Sequence, residues 1–145
     1  MSSKKCLSFK QPYAQIVVSG KKTIELRRWN TKFRGEFLVH ASKHPDKSAC
    51  VRNKIDPKSL VKGAIVGKAE LYDVKAYSTP KEYLKDTNKH FASKDFRLTK
   101  YGFLLRGAKK FQKPIFIPGK LGVSNSHSAT RKNKYQCFKP TIIAR

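Results

Sequence analysis

A run of side chains capable of chemistry lies between Gln11 and Trp29, in the segment QPYAQIVVSGKKTIELRRW. Lys22, Thr23 and Glu25 bring an amine, a hydroxyl and a carboxylate close together. A lysine whose pKa falls on burial can act as a base or nucleophile, and a charged one can hold a phosphate. If the protein is an enzyme, these three residues are the predicted catalytic group. The plain alternative for Lys22 is a solvated turn lysine.

The same part of the chain carries side chains suited to nucleic acid. Aromatic rings stack on bases, an amide can read a base edge, and basic side chains contact phosphate. The predicted binding residues are Gln11, Tyr13, Lys22, Glu25, Arg27, Arg28, Trp29, Lys32, Arg34 and Lys43. Structural alternatives stay open: Gln11 bonding backbone N–H groups at a helix start, Tyr13 in the core, Trp29 plugging a barrel end. Glu25 with Arg27 is equally a surface ion pair, and the other cations equally solvated charge.

Metal and cofactor chemistry have little support in the sequence. His40 and His44 lie four residues apart, but no third ligand stands at metal spacing. There is also no phosphate-cradling glycine loop and no GxSxG motif. The sequence therefore predicts neither a metal site nor a cofactor.

The charge is the strongest global feature. The 145 residues contain 33 Lys and Arg against 9 Asp and Glu, a formal net charge of +24, and no acid follows Asp95. Such an excess destabilises a compact state by self-repulsion, so it favours a polyanionic partner, RNA or DNA. The alternative is a lysine-rich surface without a partner. No long amphipathic basic helix is visible, so a membrane partner is not expected.

Cysteine usage and hydropathy indicate the compartment. The three cysteines, Cys6, Cys50 and Cys137, are odd in number and widely spaced, which favours a reducing environment. Neither a secretory signal nor an apolar run long enough to span a bilayer is visible. The expectation is a cytoplasmic monomer.

The residue patterns predict a mainly β domain of the α+β class. Alternation and turn signals predict strands over 6–9, 23–29, 36–41, 64–74, 101–105 and 111–117, the last an edge strand broken by Pro114. Helix start and stop signals predict short helices over 12–17, 46–53 and 79–85, with a further turn near His90. A last strand starts at 120–123, and Gly67 inside a strand indicates a bend or a close backbone approach. The prediction is one domain over 1–123, a small antiparallel or mixed barrel with helices on its rim, and a basic flexible tail over 124–145.

Several short motifs occur together and in order: Gln11-Pro12-Tyr13, Gly20-x-Lys22, Glu25-x-Arg27 and Arg34-Gly35. With VGKAELYD, KYGFLL and PIFIPGKLG, they make the chain, from about Cys6 to Val123, resemble an ASCH (activating signal cointegrator homology) domain on a PUA-like barrel. The resemblance implies a cleft beside the first helix and the strand after it, with RNA or another nucleic acid as partner.

The resemblance also implies enzymatic alternatives. Some ASCH-type proteins hydrolyse the amide of acetylated cytidine with a lysine, a threonine and a glutamate, and one is described as a ribonuclease. Where the amidohydrolases carry threonine, this sequence carries Glu25, and Thr23 is the nearest hydroxyl. Glu70 and Glu82 are the candidates for the second acid. The favoured function is RNA binding in a basic cleft; the alternatives are an amidohydrolase of a modified cytidine nucleoside and a metal-independent ribonuclease.

Overall fold

A computed structural model describes residues 4–96, 101–117 and 135–137. The strands are β1 (Lys4–Phe9), β2 (Ile24–Arg27), β3 (Gly35–Ala41), β4 (Ala64–Ala76), β5 (Tyr101–Phe116) and β6 (Tyr135–Cys137). The helices are α1 (Tyr13–Val18), α2 (Lys47–Arg52), α3 (Pro80–Lys85) and α4 (Thr87–His90), with a 3-10 turn at Pro57–Ser59. In these ranges no helix is long and apolar enough to cross a membrane.

The strands form one mixed sheet in the order β2-β5-β4-β3-β1-β6. β1 pairs in parallel with β3 and β6, and the remaining pairs are antiparallel. The sheet curls into a half-barrel with short helices. The predicted mainly β class and mixed sheet are therefore confirmed. Barrel closure is not seen in the described ranges.

The main core fills the concave side of the sheet, and alternation explains which residues enter it. Phe37, Val39 and Ala41 point inward from β3, as their spacing predicts, and Phe103 and Leu105 do so from β5. The helix α1 packs into this core through Ala14, Val17 and Val18. A smaller cluster of Cys6, Leu38 and Ile65 covers the opposite face. Because β1 and β3 are buried on both faces, they hold the elements around the site rigidly.

Gly67 allows the close approach that its place in a strand predicts. A Cβ atom built there would lie 2.3 Å from the Lys109 carbonyl oxygen and 2.6 Å from Val18 Cγ1. Real Cβ atoms do not approach other atoms so closely, so only glycine lets α1 and β5 meet at this point.

The prediction of separate strands over 101–105 and 111–117 was wrong, because β5 is one strand of 16 residues. The long partner β4 carries it through by register shifts. Between the pairs Ile65↔Ile115 and Gly67↔Lys110, two steps along β4 face five along β5, which accommodates Pro114. Since β2 pairs only as far as Leu104, the distal half of β5 is an edge within the described residues, as predicted.

The helices α2 and α3 both begin at a side-chain cap, of which the sequence predicted the one at Thr79, whereas the helix over 46–53 was predicted from Pro45. The Asp46 carboxylate accepts from the Ala49 N–H at the start of α2, and the Thr79 hydroxyl accepts from the Glu82 N–H at the start of α3. Within the predicted tail over 124–145, Tyr135–Cys137 pair with β1 as β6. The predicted strand start at 120–123 and the rest of that tail lie outside the described residues, so the boundary at 123 stays a prediction.

Candidate functional site

A cleft opens where the curled sheet does not join its ends. β2 pairs with β5, whereas β1 pairs with β3 and β6, so the end of β1 and the strand β2 flank a gap. The cavity there has a volume of 580 Å³. Its lining residues are Ser8, Phe9, Lys10, Tyr13, Glu25, Leu26, Arg27, Arg28, Trp29 and Ser42. This is the position that the resemblance implies, beside the first helix and the strand after it.

Arg27 is held firmly in the cleft. Its Nη2 donates to the Ser8 carbonyl oxygen at 2.7 Å, and its Nε donates to Glu25 Oε2 at 3.0 Å. The guanidinium carbon lies 5.3 Å from the Phe9 ring centroid and 5.9 Å from the Trp29 ring centroid, within cation–π range of both rings. Trp29 is itself packed edge-on against Phe103, with centroids 5.2 Å apart. The guanidinium is therefore fixed in place before any ligand arrives.

Lys22 is buried beneath the cleft, with 2% of its surface exposed, and does not line it. Its Nζ donates to the carbonyl oxygens of Ile24, at 2.7 Å, and His90, and it lies 3.2 Å from Glu25 Oε1. Burial lowers the pKa of Lys22, and the Glu25 carboxylate opposes that shift. Three acceptors match the three N–H groups of an ammonium, so we assign Lys22 the charged form.

Glu25 joins the two cations. Its Oε1 faces Lys22, while its Oε2 accepts from Arg27 Nε and lies 2.9 Å from Arg27 Nη2. The residue is buried, so these contacts are formed in a low-dielectric setting where an unpaired charge is expensive. We call Lys22, Glu25 and Arg27 the buried charge chain. With Lys22 charged, it has a net charge of +1, and of its two cations only Arg27 lines the cleft.

Local structure explains how Lys22 reaches this position. After α1 the chain reverses at Gly20, whose φ of +87° only glycine adopts readily, and the Lys22 N–H donates to the Ile16 carbonyl. From the other side, α4 ends at Phe91 with φ 60°, which leaves the His90 carbonyl directed at Lys22 Nζ. The His90 ring stacks on Tyr83 with centroids 4.4 Å apart. Two distant segments thus enclose one amine.

The sequence-predicted residues separate into three groups. Those lining the cleft are Tyr13, Glu25, Arg27, Arg28 and Trp29; those buried in the fold and not lining it are Gln11 and Lys22; the others outside its lining are Thr23, Lys32, Arg34 and Lys43. Arg34 donates to two nearby backbone carbonyls and lies 3.6 Å from Asp73. The Thr23 backbone bonds to Lys89 and Leu105.

Gln11 is placed where it cannot read a base in this conformation. It is 1% exposed, its Nε2 donates to the Val61 carbonyl at 2.8 Å, and its Oε1 accepts from the Gln15 N–H at 2.9 Å. The second bond satisfies a free backbone N–H at the start of α1, which is the structural role that the sequence left open for Gln11. Gln11 ties α1 to the segment before β4.

Tyr13 forms part of the cleft wall and is also tied to the fold. Its hydroxyl accepts from Arg52 Nη2 at 2.7 Å, and Lys22 Nζ lies 5.0 Å from its ring centroid. Burial raises the pKa of Tyr13 to about 12, so it stays protonated at neutral pH.

Five lining residues were not among the sequence-predicted ones: Ser8, Phe9, Lys10, Leu26 and Ser42. Ser42 comes to Phe9 through a backbone hydrogen bond of 2.9 Å that continues the β1–β3 pairing. Its Oγ is buried and has no hydrogen-bond partner among the described residues. Lys10 carried a detectable signal, because it directly precedes the Gln11-Pro12-Tyr13 motif. Leu26 lies between the predicted residues Glu25 and Arg27, whereas Ser8, Phe9 and Ser42 depend on a parallel strand pairing that the sequence does not reveal.

Neither candidate for a second acid lies in the cleft. Glu70 pairs with Arg106 on the opposite face of the sheet, and Glu82 accepts from the Ser78 N–H beside α3. Glu25 is the only carboxylate among the described lining residues. Nor do three His, Cys, Asp or Glu side chains come together at a metal-binding distance in the described ranges.

Comparison with known proteins supports the fold. The chain is similar to an ASCH protein from Zymomonas mobilis, with 20% identity, a TM-score of 0.57, and coverage of 79% of this chain and 74% of that one. A tyrosine-to-phenylalanine variant of that protein gives 19% identity, a TM-score of 0.56 and coverage of 79% and 76%. At this identity the likeness concerns the fold alone. No curated protein matches the chain.

The sequence model of the ASCH domain matches residues 7–114, which span β1 through most of β5 and include the whole buried charge chain. The chain belongs to the ASCH domain family.

Proposed function

We propose that the cleft binds RNA, receiving an unpaired nucleotide, and that the protein acts as a cytoplasmic monomer. The observation that carries this proposal is Arg27, a guanidinium fixed between the Phe9 and Trp29 rings at the surface of an open cavity. Side chains of this kind offer a base a stacking surface and offer a phosphate or a base carbonyl a charged donor. Lys10 and Arg28 add positive charge to the lining.

Hydrolysis of a modified cytidine, with Lys22, Glu25 and Thr23 as catalytic residues, receives less support. Lys22 would have to give up a proton that three acceptors hold, and its Nζ would have to leave its buried site to reach a substrate. A general base also needs direct reach to the proton it takes. Cleavage of RNA without a metal would meet the same obstacle at Lys22.

Binding is tested by fluorescence anisotropy with a labelled single-stranded RNA, comparing Arg27→Met with Arg106→Met. Both arginines bond to a glutamate, but only Arg27 lies in the cleft. We expect Arg27→Met to weaken binding at least tenfold, because a hydrogen bond to a charged group contributes about 1.5–3 kcal/mol. Arg106→Met should stay within a factor of about two.

Equal affinities for the two variants and the wild type would contradict binding in the cleft. Circular dichroism of both variants excludes unfolding as the cause of a loss. Incubation with acetylated cytidine or with RNA in EDTA tests the alternatives. Turnover by the wild type that Lys22→Met abolishes, with its fold intact, would replace the binding proposal with an enzymatic one.

A further inference from the structure

We propose that the distal half of β5 carries a second RNA-contacting surface, which binds the phosphate backbone outside the cleft. It consists of Lys109, Lys110 and Lys113, which we call the lysine ridge. All three are exposed, and none forms an ion pair with another described residue. That the polyanion is RNA rests on the proposed function. The surface itself rests on the exposure, charge and strand register of these lysines.

The nearby acids are already committed to other cations. Glu36 lies 3.1 Å from Lys68 Nζ, and Glu70 receives two hydrogen bonds from Arg106, both 3.1 Å long. Between Tyr101 and Ile117 the chain contains four cations and no acid. The positive charge of the ridge is therefore not neutralised by its surroundings. An external polyanion would neutralise it.

The strand register places like charges side by side. Lys109 is the direct partner of Lys68 across β4 and β5, an arrangement that destabilises a sheet. Lysines on an edge strand also prevent pairing with other chains, which is a sufficient reason for lysine on β5. Lys68, on β4 inside the sheet, is already paired with Glu36, so among the described residues Lys109 is the member of this pair without a counter-charge. A phosphate group at Lys109 would supply the counter-charge that Glu36 supplies to Lys68.

The ridge is separate from the cleft along the sheet. Arg27 pairs with Tyr101, and Lys110 lies nine residues further along the same strand. At roughly 3.3 Å per residue, this is on the order of 30 Å measured along β5, less where the register shifts. A dinucleotide that fills the cleft would not reach it, whereas single-strand sites of up to about 16 nucleotides are common. The ridge would therefore contribute only to the binding of longer RNA.

The experiment compares two triple variants of the full chain. Lys109→Gln, Lys110→Gln and Lys113→Gln remove the ridge, while Lys58→Gln, Lys81→Gln and Lys85→Gln remove the same charge from exposed lysines elsewhere. Affinity for a single-stranded RNA of about 16 nucleotides is measured from low to high salt. Three lost phosphate contacts should reduce the magnitude of the slope of log K against log salt by about 2. The control triple should keep the wild-type slope, and neither triple should change dinucleotide binding.

The outcomes are distinguishable. An unchanged slope in the ridge variant, with binding intact, overturns the inference and leaves cleft binding standing; aggregation of that variant at the same time would assign the lysines to edge protection. An equal reduction in both triples also overturns it, since only net charge would matter. If the ridge variant loses binding to vesicles of anionic lipid that the wild type binds, while its RNA binding is unchanged, the partner of the ridge is a membrane instead. If the wild type binds neither RNA, the proposed function fails together with the inference.

Discussion

Two glutamate–arginine pairs on one sheet differ mainly in their surroundings. Glu25–Arg27 borders the cleft, with 11% and 19% of the side chains exposed; Glu70–Arg106 lies on the outer face, with 40% and 61% exposed. The outer pair has two parallel hydrogen bonds, and these lower the pKa of Glu70 and raise that of Arg106. The inner pair has Lys22 as a third member. Water screens the outer pair more than the inner one, so two pairs with similar hydrogen-bond lengths differ in how strongly each charge depends on its partner.

Removing the charge of each glutamate should produce the largest difference between the two regions. Glu25→Gln keeps the side-chain shape but leaves Lys22 and Arg27 without their counter-charge. We expect the free energy of unfolding to fall by about 3–5 kcal/mol. The matched change Glu70→Gln should leave it unchanged within error. Urea denaturation followed by circular dichroism measures both, and equal effects would show that burial does not separate the pairs.

The pH dependence of the free energy of unfolding should also come from buried groups, in this case two histidines. Burial lowers the pKa of His90, whose carbonyl holds Lys22, and of His40, whose Nδ1 lies 2.9 Å from Ser8 Oγ. A base with a lowered folded-state pKa takes up its proton more readily when unfolded. Stability is therefore fully present above the unfolded pKa of 6.5 and is lost as pH falls below it, down to the folded pKa.

Urea denaturation between pH 7.5 and pH 5 tests this dependence, because that range spans the ordinary pKa of histidine. The loss of stability should begin near pH 6.5 and be smaller in His90→Asn, which retains an acceptor for the Ala92 N–H but does not titrate. A stability that increases towards pH 5 would contradict the assignment of both histidines as neutral. Glu70→Gln should follow the wild-type curve.

The smallest expected effect concerns the Ser42 hydroxyl beside the cleft. Its Oγ is buried without a partner among the described residues, so Ser42→Ala should raise the free energy of unfolding by about 0.5–1 kcal/mol. Ser59→Ala, which removes a hydroxyl bonded to the Asp56 carbonyl at 2.7 Å, should give no gain. Destabilisation by Ser42→Ala would contradict this expectation, because it would show that the Ser42 hydroxyl does have a hydrogen-bond partner.

The prediction of helices and strands from the sequence succeeded where it depended on residues close together in the chain. Asp46 and Thr79 cap helices by bonding to N–H groups three residues away, and the alternation in β3 depends only on its own spacing. It failed over 106–110, where a break between two strands was predicted, because the continuation of β5 depends on the register shifts that its pairing with β4 allows. For the site, five of the ten predicted binding residues line the cleft. The burial of Gln11 and Lys22 outside its lining could not be predicted.

The sequence by itself determined the family motif, the excess of positive charge and the segment that carries the buried charge chain, since each depends on residue identity and short spacing. Only the tertiary structure decided what those residues do. Gln11 is satisfied by a carbonyl 50 residues away and Lys22 by one 68 residues away, and both are thereby removed from solvent. Burial and hydrogen-bond saturation depend on contacts distant in the chain, and they leave Arg27, near Phe9 and Trp29, as the cation of the buried charge chain that lines the cleft.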